Sequence, residues 1–193
     1  SRPMWQKALE AASRSITSLG YAHPLGLLSL RQALSDYLET KGISAPPSCI
    51  LITSGALQAL QLISVSMLQP GSTVYTEAPT YLKSLQLFQS AHQHLEGIPL
   101  DEQGLQYWRL PTKNDAARRN KSILYTIPTN HNPTGITMSR QRRRELVEFC
   151  TKWQLPIIED DAYGPLYLGQ DQPPSLKSFD QNGVVIYIGT ASK

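Results

Sequence analysis

Five short stretches of the chain hold side chains of the kinds that bind, orient or attack small molecules. They are Ser54-Gly55-Ala56, Ala78-Pro79-Thr80-Tyr81, Asn130-His131-Asn132-Pro133-Thr134-Gly135, Asp160-Asp161-Ala162-Tyr163 and Thr190-Ala191-Ser192-Lys193. Lys193 carries a primary amine, a nucleophile toward carbonyl groups when deprotonated. Asp160 closes an apolar run, so its carboxylate is expected to be at least partly buried and to need a cationic or hydrogen-bonding partner. Asn130 and Asn132 place amide donors in a Pro-Gly turn. Tyr81 offers an aromatic face on which a flat ring can stack. Ser54 and Gly55 stand before a helical pattern, where free backbone N–H groups and the positive end of the dipole suit a phosphate. Each stretch alone has a plainer reading. Ser54 would cap a helix, Tyr81 would belong to the core, and the Asn-Pro-Thr-Gly run would be a surface turn. One of the two acids would cap the next segment, and Lys193 would be a solvated tail.

The elements that must position these residues follow from apolar periodicity. Helices are expected over 4–16, 27–42 (ended by Gly42), 56–68, 79–91 and 139–154. Strands are expected over 49–53, 72–77, 92–100, 122–128, 155–160 and 183–189, and 101–120 reads as a polar loop with a short helix. Strands alternating with helices give an α/β fold with a mostly parallel sheet. In such sheets ligands bind in the crevice beyond the carboxyl ends of the strands. All five stretches stand at or just past the end of an expected strand, so they fall in one layer.

The bulk properties leave that reading room. A chain of 193 residues buries a substantial core as one domain with an arm. A net charge of +3 is too small to argue for nucleic acid or membrane. The arginine-rich opening of helix 139–154 reads as a solvated face, without the interleaved aromatics of a nucleic-acid surface. Cys49 and Cys150 stand in no metal-ligand spacing and fit reduced thiols in the cytoplasm. No apolar run reaches membrane-spanning length, and no signal-peptide core opens the chain. The first residue is Ser and the last is Lys193, so residues are expected upstream and downstream.

Taken together, the crevice would hold a phosphate cradle, a stacking aromatic, an amide, an acid and a lysine. Pyridoxal phosphate has one part for each: a phosphate, a flat ring, a phenolic oxygen, a ring nitrogen and an aldehyde. The order of motifs resembles that of the fold-type I, class I/II aminotransferases: Y-x-x-x-x-G from Tyr21 to Gly26, S-G-A from Ser54, E-x-P-x-Y from Glu77 to Tyr81, H-N-P-T-G from His131, D-x-A-Y from Asp160, and S-K at Ser192-Lys193. YTIPTNHNPTG followed by IIEDDAYG is especially similar to one branch. That branch contains the aminoadipate-type aminotransferases and the aminotransferase-like effector domains of GntR-family, MocR-type regulators.

The resemblance implies a three-layer sandwich: a pyridoxal-phosphate transferase large domain, truncated, over 21–193, preceded by an arm over 1–20, with the small domain absent. It implies that Lys193 forms the Schiff base with the cofactor aldehyde and moves a proton. Asp160 would pair with the pyridine nitrogen, and Tyr163 and Asn132 would hydrogen-bond the phenolic oxygen. Tyr81 would stack on the ring. Ser54, Gly55, Ala56, Thr190 and Ser192 would hold the phosphate, and Tyr21 would reach the phosphate of the neighbouring subunit of a homodimer. Ala56 and Leu57 depart from the family's usual Ser or Thr followed by Gln, which removes a side-chain contact to the phosphate. The implied activity is transamination between an amino acid and a 2-oxo acid in the cytoplasm, with no membrane partner. Two alternatives share these residues. One is an effector-sensing domain, with nucleic acid a partner only if a winged helix-turn-helix domain lies upstream. The other is a lyase or synthase on the same fold. A phosphate-binding arginine and a carboxylate-binding arginine are expected beyond Lys193, so residues 1–193 alone are expected not to turn over.

Overall fold

A computed structural model of the chain describes residues 2–15, 23–112, 122–169 and 171–192. At its centre six strands form one sheet: β1 (Thr73–Ala78), β2 (His94–Asp101), β3 (Gly104–Leu105), β4 (Ser122–Thr126), β5 (Ile157–Asp160) and β6 (Val185–Ile188). Their order is β3-β2-β1-β4-β5-β6. All neighbours are parallel except the short β3, which turns back against β2. The helices are α1 (Arg2–Ser15), α2 (Leu28–Thr40), α3 (Ala56–Met67), α4 (Leu82–Ser90), α5 (Arg140–Trp153) and α6 (Leu176–Phe179).

The period-two alternation of the strands divides the core between the two faces of the sheet. Val74, Ile123, Tyr125, Ile158 and Ile188 point one way and pack with Leu60 of α3 and Phe88 of α4. Tyr75, Leu124, Ile157 and Val185 point the other way and pack with Leu146, Val147 and Cys150 of α5 and Leu176 of α6. The expected α/β three-layer sandwich with a mostly parallel sheet is what forms. Because both faces are covered, β4 is buried at every position. From β1 the chain moves outward to β2 and then returns on the other side of β1 to β4. That reversal is a topological switch point, the place beyond the carboxyl ends of β1 and β4 where sheets of this kind bind their ligands.

Three expectations need correction. Residues 49–53 are not a strand. A 3-10 turn spans Pro47–Cys49, and 50–53 continue extended, tied by Ile52 N donating to Leu25 O at 3.1 Å. The apolar, β-branched run has strand propensity, but a strand needs a ladder partner, and among the described residues none lies beside it. The second correction lies in 101–120, where β3 forms a hairpin with β2 before a 3-10 turn at Tyr107–Arg109. The third concerns α5, whose arginines are not all solvated. Arg142 and Arg143 are buried, at 8% and 1% exposure, because Arg143, Leu146, Val147 and Cys150 share the i, i+3, i+4, i+7 face turned to the sheet. The Arg143 guanidinium donates to Met138 O, Pro174 O, Pro128 O and Thr129 Oγ1, four hydrogen bonds that make its burial tolerable. Arg142 forks onto Asp101 at 3.0 and 3.2 Å, donates to Leu105 O and lies over the Trp108 ring.

Candidate functional site

The carboxyl ends of β1, β4, β5 and β6 lie along one edge of the sheet, and the polar residues of interest stand on or just past them, except Ser54 and Gly55, which follow the extended segment 50–53 instead of a strand. At the switch point, the buried Glu77 at the end of β1 ties the neighbouring strand to the loop that follows it. Its carboxylate accepts from the Thr126 hydroxyl in a very short contact and from Ile127 N at 3.0 Å, and it lies 3.1 Å from His131 Nε2. His131 Nδ1 in turn meets Thr134 Oγ1 at 2.8 Å. The turn 131–135 is closed by Gly135 N donating to His131 O and His131 N to Ile136 O. Asn130, held at a positive φ of 48°, and Asn132 then face the segment after β5. Asn132 Nδ2 donates to the Tyr163 hydroxyl at 3.3 Å, and Asn130 Nδ2 to the Tyr163 carbonyl at 3.4 Å. Two residues expected to serve one atom of a ligand, Asn132 and Tyr163, are therefore together.

Asp160 ends β5 on the α3/α4 face of the sheet and is 5% exposed. Its Oδ2 accepts from the Tyr125 hydroxyl at 2.8 Å, and its Oδ1 has no hydrogen-bond partner among the described residues. Burial pushes its carboxyl above the ordinary value. The Tyr125 hydroxyl and the nearby Ala162 amide oppose that shift, and the charges of Asp161 and Glu77 reinforce it. Asp161 is separately engaged, its Oδ2 accepting from the Tyr187 hydroxyl at 2.7 Å. Glu159 points to the opposite face. It accepts from Leu176 N and Lys177 N at the start of α6, and burial pushes its carboxyl up to about 7.

Tyr81 precedes α4, half-buried, and packs with Ala56 and Tyr163 against the same apolar cluster that holds Tyr125 and Ile158. Ala56 is the first residue of α3, whose N-cap is Gly55 at φ 112°, ψ 167°, a conformation that side chains do not tolerate. Ser54 does not cap the helix with its side chain. Its backbone N–H donates instead to Gln58 Oε1 at 2.5 Å. The first amides of α3 have no acceptor within the helix and face outward. After β6, the Thr190 and Ser192 hydroxyls lie 3.0 Å apart, and Thr190 Oγ1 also receives Ser192 N. Tyr21 and Lys193 fall outside the described residues.

Sequence reasoning gave no role to Tyr125, to Glu77 beyond its place in E-x-P-x-Y, or to the buried pair of arginines. Glu77 had a signal of the same kind as Asp160, an acid closing a buried strand. Tyr125 had none, because a tyrosine inside ILYTI is indistinguishable from core.

The family model described as aminotransferase class I and II matches residues 2–193. An HTH-type transcriptional regulator of Bacillus subtilis, YdfD, named as uncharacterized, is 51% identical over 183 residues, covering 94% of this chain and 37% of its own length. Aromatic-amino-acid aminotransferase 1 of Thermococcus litoralis is 39% identical over 91% of this chain and 43% of its own. Among solved structures, a Pyrococcus horikoshii kynurenine aminotransferase in complex with PMP superposes with a TM-score of 0.90 at 35% identity, over 99% of this chain and 48% of that one. The chain spans less than half the length of these relatives.

Proposed function

The chain belongs to the class I and II aminotransferases, and on that premise we propose that the protein transfers an amino group between an amino acid and a 2-oxo acid with pyridoxal phosphate. One observation carries the reading: Asp160 Oδ1, buried and with no hydrogen bond of ordinary geometry among the described residues, at the carboxyl edge of a doubly wound sheet. A buried carboxylate oxygen calls for a donor, and a protonated ring nitrogen is one. The Asn132–Tyr163 pair and the Gly55-led start of α3 fit the same group. When bound, pyridoxal phosphate supplies an electrophilic carbonyl and an electron-accepting ring.

The chain's own residues do the rest. Lys193 would hold the carbonyl carbon and carry a proton on Nζ. Asp160 would keep a proton on the ring nitrogen. Asn132 and Tyr163 would donate to the phenolic oxygen, and Tyr81 would cover the ring face. The amides of Gly55 and Ala56, with Ser54, Thr190 and Ser192, bind the phosphate. Residues 1–20 form an arm and 21–193 the cofactor-binding domain of a cytoplasmic homodimer, in which Tyr21 reaches the partner's phosphate. A cytoplasmic setting suits the two free thiols, Cys49 and the buried Cys150. No described helix is long and apolar enough to cross a membrane.

A second reading rests on the relative at 51% identity, named as a transcriptional regulator. In it the same cofactor chemistry senses an amino acid and DNA is the partner. The full-length protein, loaded with pyridoxal phosphate and given amino acids one at a time, separates the two. Pyridoxamine phosphate and free 2-oxo acid mark the transferase. A lasting spectral change without 2-oxo acid marks the sensor. No cofactor band, in a protein that Lys193→Ala leaves unchanged, removes both.

A further inference from the structure

Asp160 has two carboxylate oxygens with different fates, and Tyr125 decides which is which. Building on the cofactor reading above, we infer that Tyr125 is a positioning residue for Asp160: its hydroxyl occupies Oδ2 and so reserves Oδ1, in a fixed orientation, for a pyridine-type nitrogen. The two side chains come from adjacent strands, β4 and β5, on the same face of the sheet. The Tyr125 ring is fully buried and is held by edge contact with Phe88 at 5.8 Å between centroids. Its hydroxyl therefore has little freedom, and it sits 2.8 Å from Oδ2. The phenol is pushed upward by burial and then by the Asp160 charge, so it stays protonated and acts toward the carboxylate as a donor. That donor opposes the burial that drives Asp160 toward its neutral form. A neutral Asp160 could not hold a proton on the ring nitrogen. Oδ1, buried and making no hydrogen bond of ordinary geometry among the described residues, is left as the acceptor, with the Ala162 amide the one backbone donor nearby.

The test is a double-variant cycle on cofactor affinity in the full-length protein, read from the absorbance of bound pyridoxal phosphate. Loss of a hydrogen bond to a charged group should weaken binding in Tyr125→Phe about tenfold or more. In an Asp160→Asn background the same change should cost nothing further, because Tyr125 acts through the carboxylate. A cofactor analogue with carbon in place of the ring nitrogen should bind wild type and Tyr125→Phe equally. A fluorinated tyrosine at 125, which keeps both shape and donor, should retain wild-type affinity and guards against a packing defect in Tyr125→Phe. Additive losses in the double variant, or an equal loss with the carbon analogue, overturn the role of Tyr125 and leave the cofactor reading standing. A wild-type protein that takes up no pyridoxal phosphate overturns both.

Discussion

At the scale of single residues, the acids of this sheet differ in what their burial achieves. Glu77 is shared by three partners on two elements, Thr126, Ile127 and His131. Glu77→Ala would strand a buried amide, a hydroxyl and an imidazole, and removing one member of such a cluster costs on the order of 3 kcal/mol. Urea unfolding should show that loss in the midpoint with an unchanged slope; a loss under about 1 kcal/mol would mean water replaces the carboxylate. Glu159 gives a pH signature. Burial favours the neutral form and pushes its folded carboxyl up from 4.5 to about 7. Between those values the folded chain keeps a proton that the unfolded chain has released. The stability from this group is therefore complete below 4.5 and is lost as pH rises through about 7. The loss is on the order of 3 kcal/mol at most. Unfolding free energies at pH 5 and pH 8 should differ less in Glu159→Gln than in wild type. Equal differences would place the titration on another group.

At the scale of elements, α5 holds the loop after β4 through one guanidinium. Arg143→Met removes the donor to Met138 O, Pro128 O and Pro174 O, and should cost about 3 kcal/mol or more in denaturant midpoint. The exposed neighbour Arg144, which only overlies the Phe179 ring, should cost under about 1 kcal/mol as Arg144→Ala. Matched losses in the two would mean that α5 is held by its apolar face alone. This contrast also marks what could be read from the sequence. The bounds of α5 were legible, since Ser139 accepts from Arg142 N as an N-cap and Gln154 ends the helix at φ 55°. The orientation of its arginines was not, because charge argues for solvent and only the carbonyls of distant loops make burial tolerable. The same limit hid the sheet edge: ILIT has strand propensity, but pairing depends on a neighbour that local sequence does not name. The meeting of Asn132 with Tyr163 was legible because Asn-Pro-Thr-Gly and Asp-x-Ala-Tyr each fix local geometry at a strand end. Tyr125 was not, because its role exists only across two strands.

At the scale of the whole molecule, α1 stands out among the described helices. It is 14 residues long, and each of residues 2–14 is exposed. Isolated helices of about this length are marginal in water. Met4, Trp5 and Leu9 lie 68%, 65% and 64% exposed, and with Ala8 they fall on one stripe at helical spacing. A stripe of that kind is stabilised by a second surface. In the proposed homodimer that surface is another copy of the protein, which also brings Tyr21 toward the neighbouring phosphate. Replacing Trp5 and Leu9 together by Glu should then weaken self-association by about 30-fold or more, since a buried tryptophan anchor contributes about 2 kcal/mol or more. Sedimentation of the full-length protein across a concentration series reads this directly. The sheet should be untouched, so the unfolding midpoint at matched monomer concentration should hold, and cofactor affinity should fall only by what Tyr21 contributes. A variant that associates like wild type would take α1 out of the interface. A wild type that is monomeric at all concentrations would remove the dimer, and with it the assignment of Tyr21 to a neighbour's site.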